Sequence, residues 1–510
     1  MKRTFKIVSA VLAFIIICCL IAPAGASSAG NAAITITNPY EGVDFSAVQA
    51  YKTALHTHTN ASDGDPTLKK SIERHAETGF DIVATTDHGT VNYSWETENA
   101  DALIHGVLSA VGKSEGALEY LGAEGKFNNG TSYKMQKNGD DDFLVLENGR
   151  KIMRVPFGIE QNAVSANAHV NSWFTDYHNN MLTSYNDAIS NVDRLGGVCV
   201  INHPGEYSKA RYEIHSEDAY NPDEFSYRYH INKWAALIDK YDACIGIDVN
   251  SKGDDRTRFD RILWDRLLTR FAPNGKNVFA ICSSDAHQLD KIDTGFIYAL
   301  MPELNSGSLK AALQKGHFFP ASHCIGNYDE LCEISGALNK YYPGEAVTAS
   351  VDKTVAEMKQ RIDDIDSGKT DADARIGITY SVLDDKGYYT GETEPMITEV
   401  TVDSGDGTVA LATENALIVR WISEGKTIAV QKADEAVFSI KENAEKAGSY
   451  IRAEVFGEGG VVYTQPFIIS GTSAGDKPDI VDKGFFDFGI LDCLIGIFEN
   501  WGDIISRALS

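Results

Sequence analysis

The sequence predicts a parallel α/β barrel followed by an all-β, sandwich-like domain and a C-terminal amphipathic helix. Three patterns carry that expectation. First, DIVATTDH (81–88), GGVCVINH (196–203) and VFAICSSDAH (278–287) each read as a buried strand running into a ligand-type side chain. Parallel α/β barrels place functional groups at the carboxyl ends of their strands, so such residues would converge on one face. Second, from Met396 onward ITEVTV, TVALAT, ALIVRWIS, KTIAVQKA, AVFSI, SYIRAEVFG and VVYTQPFIIS read as short strands separated by Gly, Asp and Lys turns. Third, Phe485, Phe488, Leu491, Ile495, Phe498, Ile505 and Leu509 recur at helical spacings, with Asp492, Glu499 and Asp503 opposite.

At the front of the chain, MKRTFK supplies a short basic region and IVSAVLAFIIICCLIA an apolar run. Ala24, Gly25 and Ala26 provide small residues for cleavage before Ser27. Residues 1–26 therefore read as a secretory signal peptide, and the expected location is extracytoplasmic. A retained anchor is the competing reading, because the apolar run is just long enough to cross a bilayer. Cys18 and Cys19 lack the flanking small residues of a lipidation site.

The remaining chain is long enough for more than one domain. The barrel is expected over 27–325, ending near ALQKGHFFPASH (312–323). A connector with a charged helical piece at TVAEMKQRIDDIDSG (354–368) and the sandwich-like domain occupy 326–470. That domain is either architectural or a carbohydrate- or surface-binding module. A polar linker and the helical tail fill 471–510, with Gly489 and Gly496 softening the helix. The acidic face of the tail argues against an anionic membrane and for docking on the parent protein or self-association.

Removing residues 1–26, with their three basic and no acidic side chains, takes the formal charge from −26 to −29. So acidic a chain disfavours nucleic-acid polymers as partners, because affinity for a phosphate backbone rests on clustered Lys and Arg. Once the signal is removed, no stable membrane insertion is expected.

The densest chemistry lies at LHTHTNASDG (55–64), where His56, His58 and Asp63 fall together. Imidazoles at i and i+2 on an extended backbone project to the same side and can reach one ion. Alone, such a pair is as readily two surface histidines. Five later segments change that balance: TTDHGT (85–90), FGIEQN (157–162), NAHVN (167–171), INHPGEY (201–207) and SSDAH (283–287). A metal centre explains the ordered set economically. Mixed imidazole and carboxylate donors suit Zn²⁺, Mn²⁺ or Fe²⁺ better than Mg²⁺ or Ca²⁺.

In this order, these six segments resemble the motifs of the PHP (polymerase and histidinol phosphatase) superfamily, over about residues 50–325. The nearest likeness is to stand-alone PHP metallohydrolases with a β-rich C-terminal extension. The resemblance implies a distorted seven-stranded βα barrel with two or three divalent metal ions. By motif position it implies that His56, His58, Glu160 and Asp285 hold one ion. Glu160 would also bridge to a second ion held by His169 and His203, while Asp63, His88 and His287 hold a third.

Closely spaced cations lower the pKa of a bound water and neutralise a developing oxyanion, so hydrolysis is the expected reaction class. The leading expectation is a phosphoesterase acting on a small phosphorylated compound such as a nucleotide or sugar phosphate. The alternatives are hydrolysis of a carboxyl ester, amide or carbamate, or a non-catalytic protein stabilised by metal. Asp87 is either a second acceptor that fixes a ligand imidazole or a capping or buried structural residue. Asp248, ending GIDVNS, is a support residue, and the leaving-group acid stays open between it, metal-bound water and a histidine from an insertion.

Two insertions are expected to rim the pocket, with TSYKMQKNGDDDFLVLENGRKIMRV (131–155) in one and the Tyr-rich stretch after His203 in the other. NGDDD reads as a hairpin turn, and the tyrosines read chiefly as ordinary packing. Cys199, Cys244 and Cys282 lie in apolar runs and read as buried thiols, while Cys493 sits apart in the tail. Cys324 and Cys332 are close enough in sequence to bridge in an exported protein.

Overall fold

Apolar runs in this chain become strands because β-branched residues buried on both faces suit a covered, largely parallel sheet. The structure, a computed structural model, describes residues 34–486 except 98–104, 107–108, 110–111, 113–115, 162–168, 179–183, 207–212, 252–256, 371–375, 392 and 472–476. The expected signal peptide, and the tail helix beyond its first two residues, lie outside the described residues.

Ten strands build the part that carries the motifs: β1 (Gln49–Ala54), β2 (Ile82–Val83), β3 (Lys151–Arg154), β4 (Ile159–Glu160), β5 (Val170–Trp173), β6 (Val198–Ile201), β7 (Cys244–Asp248), β8 (Phe279–Ile281), β9 (Gly295–Met301) and β10 (Phe318–Ser322). β1, β2 and β3 run parallel, and β9 lies antiparallel between β1 and β10. A second sheet has the order β8-β7-β6-β5-β4, parallel from β6 to β8, with β5 antiparallel to both neighbours. Two isolated parallel bridges tie the sheets together just past the strand ends, Thr57 to Ala286 and His88 to Glu160. Leu55, Ala84, Val155, Val198, Val200, Ile281 and Ile297 pack in one apolar cluster beneath those ends.

Helices cover the strands, some of them opened by side-chain caps. In α1 (Leu68–Glu77) the Thr67 hydroxyl accepts from the Lys70 amide, and Leu68, Ile72 and His75 turn inward at helical spacing. α2 (Tyr185–Arg194) opens with a reciprocal Ser184–Asp187 capping box. α3 (Phe225–Lys240) and α4 (Asp260–Phe271) precede β7 and β8, and α5 (Ser306–Lys315) ends at Gly316, whose φ of 77° suits a residue without Cβ.

The hairpin insertion departs from its expected place. Its strands Ser132–Asn138 and Asp141–Leu146 lead through β3 into the sheet beside β2, extending the edge rather than rimming a pocket. Phe143, Leu144 and Leu146 are buried there, so apolar burial holds the meander flat on the sheet. Its tip is the expected turn at Gly139–Asp140, between paired Asn138 and Asp141. In the Tyr-rich insertion, Tyr220 and Tyr227 stack at 5.3 Å and belong to the core.

Beyond Ile325 come two helices, α6 (Tyr328–Tyr341) and α7 (Ala346–Asp366), the second longer than the charged piece suggested. The β-rich region then continues the large sheet through β11 (Ile418–Ser423), β12 (Tyr450–Gly457), β13 (Gly460–Tyr463) and β14 (Phe467–Ser470). β13 pairs directly with β10, Val462 opposite Ala321 and Val461 opposite Ser322. A three-stranded sheet of Met396–Asp403, Thr408–Glu414 and Val437–Ser439 shares a core with it, Phe438 lying 5.4 Å from Trp421.

Charge as well as apolar contact joins this region to the helices. Arg452 pairs with Asp265 at 2.7 Å and Glu454 at 2.6 Å, and Arg420 bridges Glu454 and Glu330 at 2.5 and 3.1 Å, all buried. Cys324 and Cys332 are free thiols, contrary to the possible bridge. Cys324 faces the Ser381 hydroxyl at 3.5 Å across a strand pair, whereas Cys332 lies on α6.

Candidate metal centre

Backbone bonds at the strand ends bring the motif residues together. Neighbouring strands lie only about 4.8 Å apart, so side chains leaving adjacent ends share one space. The His58 amide donates to the Ala286 carbonyl at 2.9 Å, Thr86 to Thr57 at 2.9 Å, and Glu160 to Thr86 at 3.2 Å. The Asn202 amide donates to the His169 carbonyl at 2.9 Å, fixing β6 against the start of β5.

Two donors sit on backbone that side-chain-bearing residues rarely adopt: His203 has φ 24° and Asp285 φ 44°. Such left-handed geometry costs about 1–3 kcal/mol per residue and persists only where surrounding structure fixes it. Gly64 has a different reason. A Cβ there would fall 2.7 Å from the His58 carbonyl carbon, so only glycine lets the Asp63 turn close over His58.

Nine expected donors converge. His56 Nε2 and His58 Nε2 are 3.1 Å apart, and Asp285 Oδ1 lies 3.1 and 3.0 Å from them. Glu160 Oε2 completes this buried group at 3.5 Å from His56 and 3.4 Å from His58. A second group joins Asp63 Oδ1 to His88 Nε2 at 3.4 Å and His287 Nε2 at 3.3 Å, with His58 Nδ1 at 3.8 Å. A third joins Glu160 to His88 Nδ1 at 2.9 Å and His169 Nδ1 at 2.8 Å. His203 stands slightly apart, its Nε2 3.6 Å from Glu160 and 3.7 Å from Asp285.

These spacings fit cation ligands. Tetrahedral donors at roughly 2.0–2.1 Å from a zinc-sized ion are about 3.3 Å from one another. Among the described residues Glu160 Oε2 is buried and meets only imidazole nitrogens, the nearest His88 Nδ1 at 2.9 Å, a position that suits a charged oxygen facing a cation.

Within the cluster, attraction between opposite charges outweighs the cost of burial. Burial would depress the His56 imidazole, yet Asp285 and Glu160 raise it to about 10. Burial likewise opposes the charge on His88, but Asp63 and Glu160 raise it to about 9. Burial would lift the Glu160 and Asp63 carboxyls, and the surrounding histidines instead hold both well below the usual range.

The supporting aspartates do different jobs. Asp87 accepts from Thr59 N at 2.7 Å, Thr59 Oγ1 at 2.9 Å and Ser62 Oγ at 2.8 Å, so it fixes the turn after His58. Through Ser62, whose hydroxyl is 3.4 Å from His58 Nδ1, it supports that imidazole. Asp248 is fully buried, accepts from the Ser283 hydroxyl and, chiefly by burial, is pushed up to about 7. Asn202 and Glu206 join the site although neither is a donor by its place in the motifs. The Asn202 amide donates to Glu160 Oε1 at 2.8 Å, and Glu206 Oε2 lies 3.4 Å from His203 Nδ1. Both sit inside INHPGEY, and adjacency to a ligand was the available signal.

Fold and site together define a mixed α/β protein with clustered His, Asp and Glu side chains able to hold divalent cations. No family model matches the chain, and no curated protein matches it. Among solved structures, it is similar to a two-domain protein from Bacteroides vulgatus containing a predicted PHP-like metal-dependent phosphoesterase. That similarity is at 15% identity and a TM-score of 0.34, covering 87% of this chain and 91% of that one.

Proposed function

We propose that the chain is an exported, metal-dependent phosphoesterase of PHP type that hydrolyses a small phosphorylated compound. The observation that carries this reading is the convergence of nine imidazole and carboxylate donors around Glu160. The two bridges past the strand ends support viewing β1, β2, the β3–β4 segment, β5, β6, β7 and β8 as a distorted seven-stranded barrel. Residues 27–325 would form the hydrolase part, 326–470 an architectural β-rich part, and residues 1–26 the export signal. Among the described residues no helix is long and apolar enough to cross a membrane.

A neutral imidazole has one lone pair to give, so His58 and His88 can each serve one ion although each borders two donor groups. Assigning His58 to the first group leaves His56, His58, Glu160 and Asp285 for one ion and Asp63, His88 and His287 for another. Glu160 through Oε1, with His169 and His203, could then hold a third. When bound, such ions acidify water and offset charge on a phosphoryl oxygen. His287 is the most exposed of the histidine donors at 35%, which makes its side the approach for substrate. Asn202 and His169 both bond Glu160 Oε1 and orient the carboxylate, while Asp87 and Ser62 hold His58.

The test is chelation and rescue with Zn²⁺, Mn²⁺ or Fe²⁺ on full-length protein, using p-nitrophenyl phosphate, bis-p-nitrophenyl phosphate and p-nitrophenyl acetate. Restored release from either phosphate, abolished by Asp285→Ala, is expected. Cleavage of the acetate alone would move the assignment to a carboxyl-ester hydrolase, and no metal-dependent cleavage would sink the reading.

A further inference from the structure

Strand β8 is the edge of its sheet. β7 pairs with it on one side, and among the described residues no strand pairs with it on the other. The outward backbone groups of Ala280 must therefore find partners elsewhere. Gln465, in the turn between β13 and β14, supplies them. Its Oε1 accepts from the Ala280 amide at 3.0 Å and its Nε2 donates to the Ala280 carbonyl at 2.8 Å, so one side-chain amide stands in for a neighbouring strand. Asn277, two residues before β8, donates from Nδ2 to the Pro466 carbonyl at 2.8 Å.

Tyr463 reaches the end of β7. Its hydroxyl accepts from Asn250 Nδ2 at 3.2 Å and from Arg261 Nη1 at 3.0 Å. Asn250 lies two residues past Asp248 at a left-handed φ of 51°, and it also donates to the Cys324 carbonyl at 2.9 Å. Between Tyr463 and Gln465, Thr464 is locked to β12. Its amide donates to the Ala453 carbonyl at 2.9 Å, and its hydroxyl accepts from the Ala453 amide at 2.8 Å. All three residues are fully buried.

β8 leads directly into the donor Asp285. On the way, Ser283 donates to Asp248 and Ser284 donates to the His56 carbonyl at 3.1 Å. Asp285 has φ 44°, a conformation that persists only where its surroundings fix it. Its Oδ1 stands 3.1 and 3.0 Å from His56 and His58, and a ligand set of this kind tolerates displacements of only about 0.5 Å. Whatever sets the position of β8 and the end of β7 therefore bears on metal binding.

On the reading of the donor cluster as a metal site, we propose that Gln465 and Tyr463 are its positioning residues in the β-rich region, holding Asp285 in reach of His56 and His58. The test is titration of full-length, metal-free protein with Co²⁺, whose visible spectrum reports ligand geometry. It is run on the native chain, Gln465→Leu, Tyr463→Phe and Val409→Ala. Gln465→Leu keeps the bulk and removes both hydrogen bonds. Tyr463→Phe removes a single hydroxyl, and decides the matter if the first variant does not fold. Val409, equally buried opposite Phe438, belongs to a core cluster that includes no β7 or β8 residue, so its truncation loosens the β-rich region alone. At least tenfold weaker binding of one Co²⁺ equivalent with an altered spectrum is expected in Gln465→Leu, and a smaller change of the same kind in Tyr463→Phe. Val409→Ala should melt at a lower temperature yet keep the native spectrum and affinity. Native spectrum and affinity in both Gln465→Leu and Tyr463→Phe, or the same losses in Val409→Ala, would overturn the proposal. A native chain that binds no Co²⁺ would overturn the metal-site reading itself, so the two failures are distinguishable.

Discussion

Replacing Glu160 with Gln keeps the shape of the side chain and removes the charge at the middle of the cluster. Oε1 would still accept from Asn202, at 2.8 Å in the native chain. What disappears is attraction to the rings around Oε2, of which His88 Nδ1 is nearest at 2.9 Å. Two unit charges at that distance interact by about 5–6 kcal/mol at an effective dielectric of about 20, an upper estimate because burial opposes the charged imidazole. His88 stands at about 9 with Asp63 and Glu160 both raising it, so loss of one should lower it by at least about one unit, or about 1.4 kcal/mol. NMR titration of the imidazole nitrogens in metal-free protein reads this shift. Elemental analysis of the loaded variant reads the second consequence, because Glu160 belongs to two of the three donor groups. The variant should lose at least one bound ion. Unchanged titration of His88 together with unchanged metal content would refute the account of Glu160 as the shared centre.

The remaining predictions follow from the same geometry. In metal-free protein His56 and His88 are raised, so their stabilising contribution is full below about 6.5 and is lost as pH rises through about 9 to 10. Metal must displace those protons, so affinity should rise about tenfold per pH unit for each site between pH 6 and 8. Calorimetry in buffers of different ionisation enthalpy checks it, and a flat profile would contradict it. Gly64→Ala should push the Asp63 turn off His58 and weaken metal binding at least tenfold with little change in secondary structure, measured by competition with a chromophoric chelator. Glu454→Gln leaves Arg452 paired to Asp265 and Arg420 to Glu330 and Glu333, and should cost about 1–3 kcal/mol in urea unfolding through the lost charged hydrogen bonds.

Much of the donor set was legible because most of the ligands end or follow a strand, while His169, just before the antiparallel β5, reaches the cluster from a strand start. His56 and His58 at i and i+2 needed only an extended backbone to point together, whereas Asp285 and His287 reach different donor groups from a segment whose Asp285 is left-handed. Their division among ions was less legible, since His58 and His88 border two groups through different ring nitrogens. The roles of Asn202 and Glu206 depend on side-chain direction, which no spacing rule supplies. Turn-bounded apolar runs marked β11 to β14 as strands but could not name their partner, so the pairing of β13 with β10 was hidden. The hairpin at 132–146 was read correctly as local structure and misplaced in space for the same reason. Cys324 and Cys332 illustrate the limit of sequence proximity, because a strand and a helix aim their thiols at different neighbours.

The central claim is that the clustered donors are a metal site, and elemental mass analysis of full-length protein tests it most directly. After loading with Zn²⁺, Mn²⁺ or Fe²⁺ and removal of free ion, the native chain should retain two or three equivalents. His58→Ala should lose the ion of the first group. A native chain that retains none of these ions, or a His58→Ala variant with native content, would contradict it.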